Sequence, residues 1–345
     1  MTRLADLAEL VRAPAALSVP GDVLAGAAAA GTLGRRTPAL AAASVLLYWA
    51  GMAANDWADR RLDATERPER PIPSGRVRPA VALGLAGGLT AAGLAVATAA
   101  GGRPASAVAV GLAATIWGYD LSAKDTAAGP AAMAACRGLD VLLGATTTPA
   151  ARRCAAGGDR WPGGGPSGTG GGRGAGGSAG GVGCGSAGGV GPALLRALPA
   201  ALTVAAHTWT VTALSGREVT GAADRRLPAL TLAGTALIAL AAPGRPTVLS
   251  GAPSSTECVK KGPFLRAVVP VALAAGYAVR YGRAQARVLA DPSPARVRAA
   301  VGAGITGLPA LQGALAARAG ARLLGLAVAG AAPLGRRLAR LISPT

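Results

Sequence analysis

Large side chains and charge are both scarce in this chain. Of 345 residues only 3% are aromatic, with a single Phe, a single His and three Met, and 15% are charged, against about 25% in a soluble domain. A big soluble core would have little to fill it, whereas closely packed membrane helices favour small residues. Cys136, Cys154, Cys184 and Cys258 show no C-x-x-C spacing and have only His207 to join them, which excludes a thiolate or imidazole metal centre and leaves free thiols. The glycines form no G-x-x-x-x-G-K-[ST] phosphate loop. The formal charge of +19 is spread over short connectors such as 57–79, with Arg60, Arg61, Arg67, Arg70, Arg76 and Arg78. No basic domain or aromatic-studded strand accompanies it, so nucleic acid is excluded as a partner and cytoplasmic loops of a membrane protein are the expectation.

What is abundant is Ala, Leu, Val and Gly: 51% of the chain is hydrophobic and the mean hydropathy is +0.40. A membrane helix needs about 20 mostly apolar residues. Candidate spans lie near 14–32, 38–56, 80–100, 104–119, 127–147, 193–214, 227–242, 264–280, 299–318 and 321–335. They predict an all-α, multi-pass bundle of nine or ten spans. The first apolar stretch follows Arg3 and Arg12 without a convincing cleavage site and is expected to be a retained span. Two stretches interrupt the pattern and divide the chain into an N-terminal helical half, 1–148, and a C-terminal half, 193–345. Residues 149–192, with GGGPSGTGGGRGAGGSAGG, have the composition of a disordered insert, since glycine is the costliest residue to order. Residues 243–263 have the Pro, Gly and Ser content of a connector.

At the end of the second span the chain reads AANDWADRRLDATERPERPIPSGRV. Charge in or beside a membrane helix is costly and marks function by default. On a helix Asn55, Asp59 and Asp63 recur every four residues and Asp56 joins the latter two at i+3 and i+7, so the four project from adjoining rows of one face. Hard oxygen ligands so clustered suit Mg²⁺, which takes one or two protein carboxylates and completes its shell with water and phosphate oxygens. Diphosphate is the natural co-ligand, and Arg60, Arg61, Arg67 and Arg70 offer the complementary forks.

These residues carry a resemblance. Asn55 to Asp63 match the N-D-x-x-D-x-x-x-D signature of the UbiA superfamily of intramembrane prenyltransferases, and Arg70-Pro71-Ile72-Pro73-Ser74-Gly75 resembles its R-P-[IL]-P-[ST]-G. Tyr119 and Lys124 sit where that family has a Tyr and a basic residue after the fourth span, and Cys136 to Asp140 resemble its polar fifth-helix segment. The C-terminal VGAGITGLPALQGALAARAG and ISPT look closest to the EboC-like actinobacterial branch. The resemblance implies a bundle with a central cavity, two Asp-rich motifs at its cytoplasmic mouth and a cell-membrane location. It also implies Mg²⁺-assisted transfer of a prenyl group from a prenyl diphosphate to a small aromatic or otherwise electron-rich acceptor, with the prenyl tail between helices in membrane lipid. Asn55, Asp56, Asp59, Asp63 and Glu218 are the expected metal ligands. Asp56, Asp59, Asp63 and Lys124 are the expected catalytic groups, and Asn55, Arg70, Tyr119, Arg137 and Arg217 the expected substrate contacts.

The sequence departs from the family at the second motif. Where D-x-x-D-x-x-G-D belongs, it reads Ser215-Gly216-Arg217-Glu218-Val219-Thr220-Gly221-Ala222, leaving Glu218 as carboxylate, with Asp224 close by and Arg217 expected to replace part of the metal's charge. Two other readings stay open: a lipid-binding or transport protein that keeps the bundle, and a CDP-alcohol phosphotransferase-like enzyme, whose D-G-x-x-A-R signature is absent. Arg137 and Asp140, three apart on one helix, either pair with each other or meet substrate. Lys124 and Arg12 either hold phosphate or snorkel to the interface. His207 is expected to hydrogen-bond between helices, and Trp49, Trp117 and Trp209 to anchor at the interface.

Overall fold

The computed structural model describes residues 3–13, 18–147, 189–244 and 263–331, and every regular element among them is a helix. In chain order these helices are α1 Leu4–Leu10, α2 Pro20–Ala30, α3 Thr37–Ala58, α4 Arg60–Glu66, α5 Pro79–Gly118, α6 Gly129–Gly144, α7 Val190–Ser215, α8 Arg226–Ala241, α9 Pro263–Tyr277, α10 Arg283–Ala290, α11 Pro294–Arg318 and α12 Arg322–Ala331. Thr37–Ala58, Pro79–Ala123, Val190–Ser215 and Pro294–Arg318 are long and apolar enough to cross a membrane. Pro residues open α2, α3, α5, α6 and α11 within their first two positions, where the missing N–H costs no intrahelical bond.

The 40 residues of α5 are two helices rather than one. Gly102 has φ 65° and ψ −154°, a conformation open to glycine, and Pro104 follows it. In a straight helix Trp117 would lie about 40 Å from Thr90 at 1.5 Å per residue, yet its Nε1 donates to Thr90 Oγ1 at 3.2 Å. The chain therefore reverses at Gly102, and the expected spans 80–100 and 104–119 are antiparallel neighbours.

Two apolar clusters meet along α2 and α6. One joins Val23, Leu40, Leu47, Ala97, Ala109, Leu112, Ile116 and Leu143 from α2, α3, α5 and α6. The other joins Ala25, Val141, Val204, Ile238, Tyr277, Tyr281, Leu311 and Leu315 from α2, α6, α7, α8, α9 and α11, with Tyr281 in the π-turn that follows α9. The seam is nearly backbone to backbone: a Cβ at Gly26 would strike the Val141 carbonyl, and one at Gly144 the Val23 carbonyl. Dispersion between close backbones holds helices together where lipid supplies no hydrophobic drive. Leu195, Leu202, Leu230, Leu237 and Leu240 face outward on α7 and α8, as lipid-facing positions require. Thr90, Thr98, Thr115, Thr203 and Thr208 satisfy their hydroxyls on carbonyls four residues back.

The ends of the bundle follow from these contacts. Thr32 Oγ1 donates to the Gly144 carbonyl, and Ala30, Ala145, Ala193 and Ala197 form one cluster, so α2 and α6 finish where α7 starts. α3 ends, α5 starts and ends, α6 starts and α7 ends at the opposite end, which holds the acidic motif. α7 opens at Val190, three residues inside the expected 149–192 insert, because Ala193, Leu194 and Ala197 of its first turns already have apolar neighbours to cover. Similarly α9 opens at Pro263, the last residue of the expected connector. Residues 148–188 and 245–262, with Cys154, Cys184 and Cys258, lie outside the described residues; Cys136 is a buried free thiol.

Candidate functional site

The helical run of the acidic motif hinges at Asp59 without losing its register. α3 stops at Ala58 and α4 begins at Arg60, yet Asp59 N bonds Asn55 O at 2.9 Å and Asp63 N bonds Asp59 O at 2.8 Å. Asp56 and Asp63 are thereby turned inward and buried, as the i+7 spacing predicts. The R-P-I-P-S-G segment folds into a tight turn, with Ser74 N on Arg70 O, Gly75 N on Ile72 O and Val77 N on Pro71 O. Ile72 and Val77 pack under it against Leu10, Ala53 and Ala54. That anchoring aims Arg70 back at the motif: its Nη1 lies 2.7 Å from Asp63 Oδ2 and 3.4 Å from Asp56 Oδ1. Arg12 reaches Asp56 Oδ1 at 2.8 Å from the turn following α1, and Arg67 reaches Asp63 Oδ1 at 3.4 Å. Arg60 turns away, stacked 4.6 Å over Trp57 and bonded to its carbonyl, so it adds no fork to the cluster here.

A π-turn over Tyr119–Ala123 completes the mouth. Its wide loop, closed by Lys124 N on Tyr119 O at 3.0 Å, inserts an extra residue of the kind that often marks a functional bend. Lys124 forms an ion pair with Asp59, which places it at the motif as expected, and Tyr119 stands half-buried beside it. The turn also buries Asp120, which the sequence reading passed over. Its Oδ2 has no hydrogen-bond partner and lies 3.2 Å from where a Cβ on Gly51 would be, one turn before Asn55 on α3. Its place between Tyr119 and Lys124 was the available signal.

At the surface below, Arg76 clamps α1, meeting Asp6 Oδ1 at 2.9 Å and Glu9 Oε2 at 2.6 Å. The Arg3 backbone N–H, then Arg76, hold the Asp6 carboxyl below its ordinary value, and Arg76 does the same for Glu9.

Deeper in the bundle Arg137 does not pair with Asp140. Its Nε lies 2.7 Å from Asp22 Oδ2 on α2, while Asp140 accepts from Ser44, because α2 packs directly on the face of α6 that Arg137 occupies. Gln312 of α11 donates to Asp22 Oδ1 at 2.7 Å and to Ser18 O at 2.8 Å. Asp140 Oδ2 and Gln312 Oε1 are left without partners. His207 bonds between helices as expected, its Nδ1 2.9 Å from Tyr277 OH. Arg217 and Glu218 fall on the turn after α7, at the motif end of the bundle. No hydrogen bond or ion pair joins them to the first-motif carboxylates among the described residues; the backbone oxygen of Glu218 accepts from Arg298 at 2.9 Å.

Oxygen donors from Asn55, Asp56, Asp59 and Asp63, with the unpartnered Asp120 Oδ2, have the chemistry that Mg²⁺ prefers. Among the described residues no three His, Cys, Asp or Glu converge as a metal cluster; Asp56, Asp59 and Asp63 are each paired with a cation instead. Fold and site together define a polytopic membrane protein with an acidic, arginine-ringed mouth at one end of a helical bundle. The chain belongs to the UbiA prenyltransferase family, whose profile matches residues 19–293. A digeranylgeranylglyceryl phosphate synthase of Methanothrix thermoacetophila is 54% identical over 48 residues, 14% of this chain and 18% of that one. The synthase of Natronomonas pharaonis is 44% identical over 85 residues, 24% and 31% of the two chains. That of Ignicoccus hospitalis is 40% identical over 93, or 27% and 31%. The chain thus spans only about a fifth to a third of the curated relatives it matches, and they do not support a place beside the EboC-like branch. A solved structure described as giving structural and mechanistic insights into the biosynthesis of digeranylgeranylglyceryl phosphate synthase in membranes superposes with a TM-score of 0.58. It covers 92% of this chain and 99% of its own at 14% identity, a likeness of fold.

Proposed function

We propose that this protein transfers a prenyl group from a prenyl diphosphate to a small hydroxyl-bearing or otherwise electron-rich acceptor in the cell membrane. The observation that carries the reading is the mouth: Asp56, Asp59 and Asp63 are each held by a cation, Arg12, Arg70, Arg67 or Lys124, that can exchange a carboxylate for a phosphate oxygen. One or two of the carboxylates Asp56, Asp59, Asp63 and Asp120, with Asn55, would hold Mg²⁺, and Glu218 and Arg217 stand on the second-motif turn at the same end of the bundle. The ion, when bound, neutralises diphosphate charge. Lys124, Arg70 and Arg12 then stabilise the negative charge that grows on the leaving diphosphate as the allylic C–O bond breaks, while Tyr119 borders the mouth. The surrounding apolar helices exclude water from the allylic cation until the acceptor attacks.

The relatives' name describes prenyl groups on a glyceryl phosphate, so an aliphatic hydroxyl stands beside an electron-rich arene as the acceptor type. Arg3, Arg12, Arg60, Arg61, Arg67, Arg70, Arg76 and Arg78 gather at the motif end, which supports placing that end on the cytoplasmic side. Protein in lipid nanodiscs, incubated with labelled prenyl diphosphates, cell extract and Mg²⁺, should yield a prenylated product by mass spectrometry and release diphosphate. Binding of prenyl diphosphate without any release across the panel would instead favour the lipid-binding reading, to which the departure at Ser215–Ala222 lends weight.

A further inference from the structure

A cavity of about 310 Å³ opens between α10 and α11, lined by Val279, Arg280, Arg283, Arg287, Arg296 and Ala303 among others. It lies at the motif end of the bundle: Ala222 N, in the loop after α7, bonds Pro292 O, and Arg298 bonds Glu218 O. Residues 278–298 carry five arginines and one carboxylate, Asp291. The arrangement is enforced by the buried side of this segment. Tyr281, Gln285 and Val288 are fully buried, Tyr281 OH meets Thr210 at 3.2 Å, and so Arg280, Arg283 and Arg287 must share the opposite stripe at i, i+3 and i+7. Arg280 is aimed across the cavity by two bonds to Thr306 Oγ1, at 3.2 and 2.9 Å. Arg296 faces it from α11, 3.7 Å from Asp291, and Arg283 and Arg287 have no carboxylate partner among the described residues. Like charges one turn apart repel, so the cavity is built for an anion.

The wall distinguishes a lipid from a free ion. Val268, Val271, Ala275 and Val279 recur at i, i+3, i+7 and i+11 from the middle of α9 into the π-turn and are all exposed. This apolar strip leads from the cavity along the lipid-facing surface toward the other end of the bundle. Basic pockets between membrane helices at the cytoplasmic side suit phosphate headgroups. We infer that this cavity binds the headgroup of an anionic phospholipid, with its phosphate among Arg283, Arg287, Arg280 and Arg296 and an acyl chain along the α9 strip. The site is separate from the acidic mouth and does not depend on the reaction proposed there.

The test uses the full chain in phosphatidylcholine nanodiscs with and without phosphatidylglycerol, with retained lipid counted by native mass spectrometry. Wild type should retain phosphatidylglycerol in preference to phosphatidylcholine. Arg283→Gln with Arg287→Gln should cut that preference about thirtyfold, on the scale of roughly 1 kcal/mol per arginine near a membrane surface. Arg35→Gln with Arg36→Gln, at the other end, should leave it intact. Equal retention of the two lipids by wild type overturns the proposal whether or not the double variant folds, as does a folded double variant that keeps the preference. Displacement of phosphatidylglycerol by an equal concentration of inorganic phosphate would show a free-anion site and overturn the lipid assignment.

Discussion

Asp63 and Asp59 carry similar charges in one motif but different structural loads. Asp63 is 1% exposed and bonded to both Arg67 and Arg70, whereas Asp59 is 20% exposed and paired with Lys124. Both Asp59→Ala and Asp63→Ala should abolish Mg²⁺-dependent binding of prenyl diphosphate by isothermal titration. Asp63→Ala should in addition lower stability by roughly 3 kcal/mol, the lower end of the range for breaking a buried pair because the mouth is partly wet. Equal thermal unfolding of the two variants would contradict that division. Asp120→Asn should weaken the same binding by about 1.5–3 kcal/mol, the worth of a contact to a charged group, while exposed Asp125→Asn should leave it alone; identical titration curves for the two would remove Asp120 from the site. The Arg76 clamp makes α1 docking pH-dependent. Carboxyls held below their ordinary values by folding contribute stability that is complete above about pH 5 and disappears as pH falls through the lowered values. A spin label at Ala8 should therefore report a fixed α1 from pH 8 to 5 and a mobile one under stronger acid; mobility already rising at pH 6 would mean that Asp6 and Glu9 do not hold the helix.

At the scale of the element, glycine spacing decides which helices touch. Gly26 and Gly144 let α2 and α6 meet backbone to backbone, and α6 thereby carries Arg137 to Asp22. Gly144→Val would drive methyl groups into the Val23 carbonyl, an overpacking that costs about 1–3 kcal/mol. The measurable result is a lower melting temperature in detergent, with Gly88→Val, at an open position on α5, as the comparison. A Gly144→Val protein as stable as wild type would show that the seam is not limiting. The α5 hairpin was legible as two hydrophobic runs separated by Gly101, Gly102 and Arg103, and Gly102 supplies the reversal. The π-turn at Tyr119 was not legible, because an inserted residue leaves the local composition unchanged and is fixed by where α5 and α6 must pack.

Across the whole molecule, the two halves of the chain share one core through α2 and α6, and Ala145 and Ala193 stand in the same apolar cluster on either side of the long insert. The insert's composition offers little apolar surface to offset the entropy of ordering it. Deleting 155–188 should accordingly leave membrane integration and prenyl diphosphate binding unchanged, as read by carbonate extraction and titration. Loss of either would give the segment a part in assembly or in the site.

By itself the sequence determined the solvent, the class and the chemistry of the mouth. Helix periodicity and apolar run length are local properties, and Asn55, Asp56, Asp59 and Asp63 share a face because 3.6 residues make a turn whatever surrounds them. The partners were decided only by the tertiary structure. Arg137 chose Asp22 over Asp140, Arg70 bridged Asp56 and Asp63, Asp120 was buried without a partner, and Arg280 was turned toward Thr306 across the cavity between α10 and α11. Each depends on which helices lie against one another, and that is set by small-residue contacts between segments more than a hundred residues apart, such as Gly26 with Val141 and Val23 with Gly144, which no local pattern encodes.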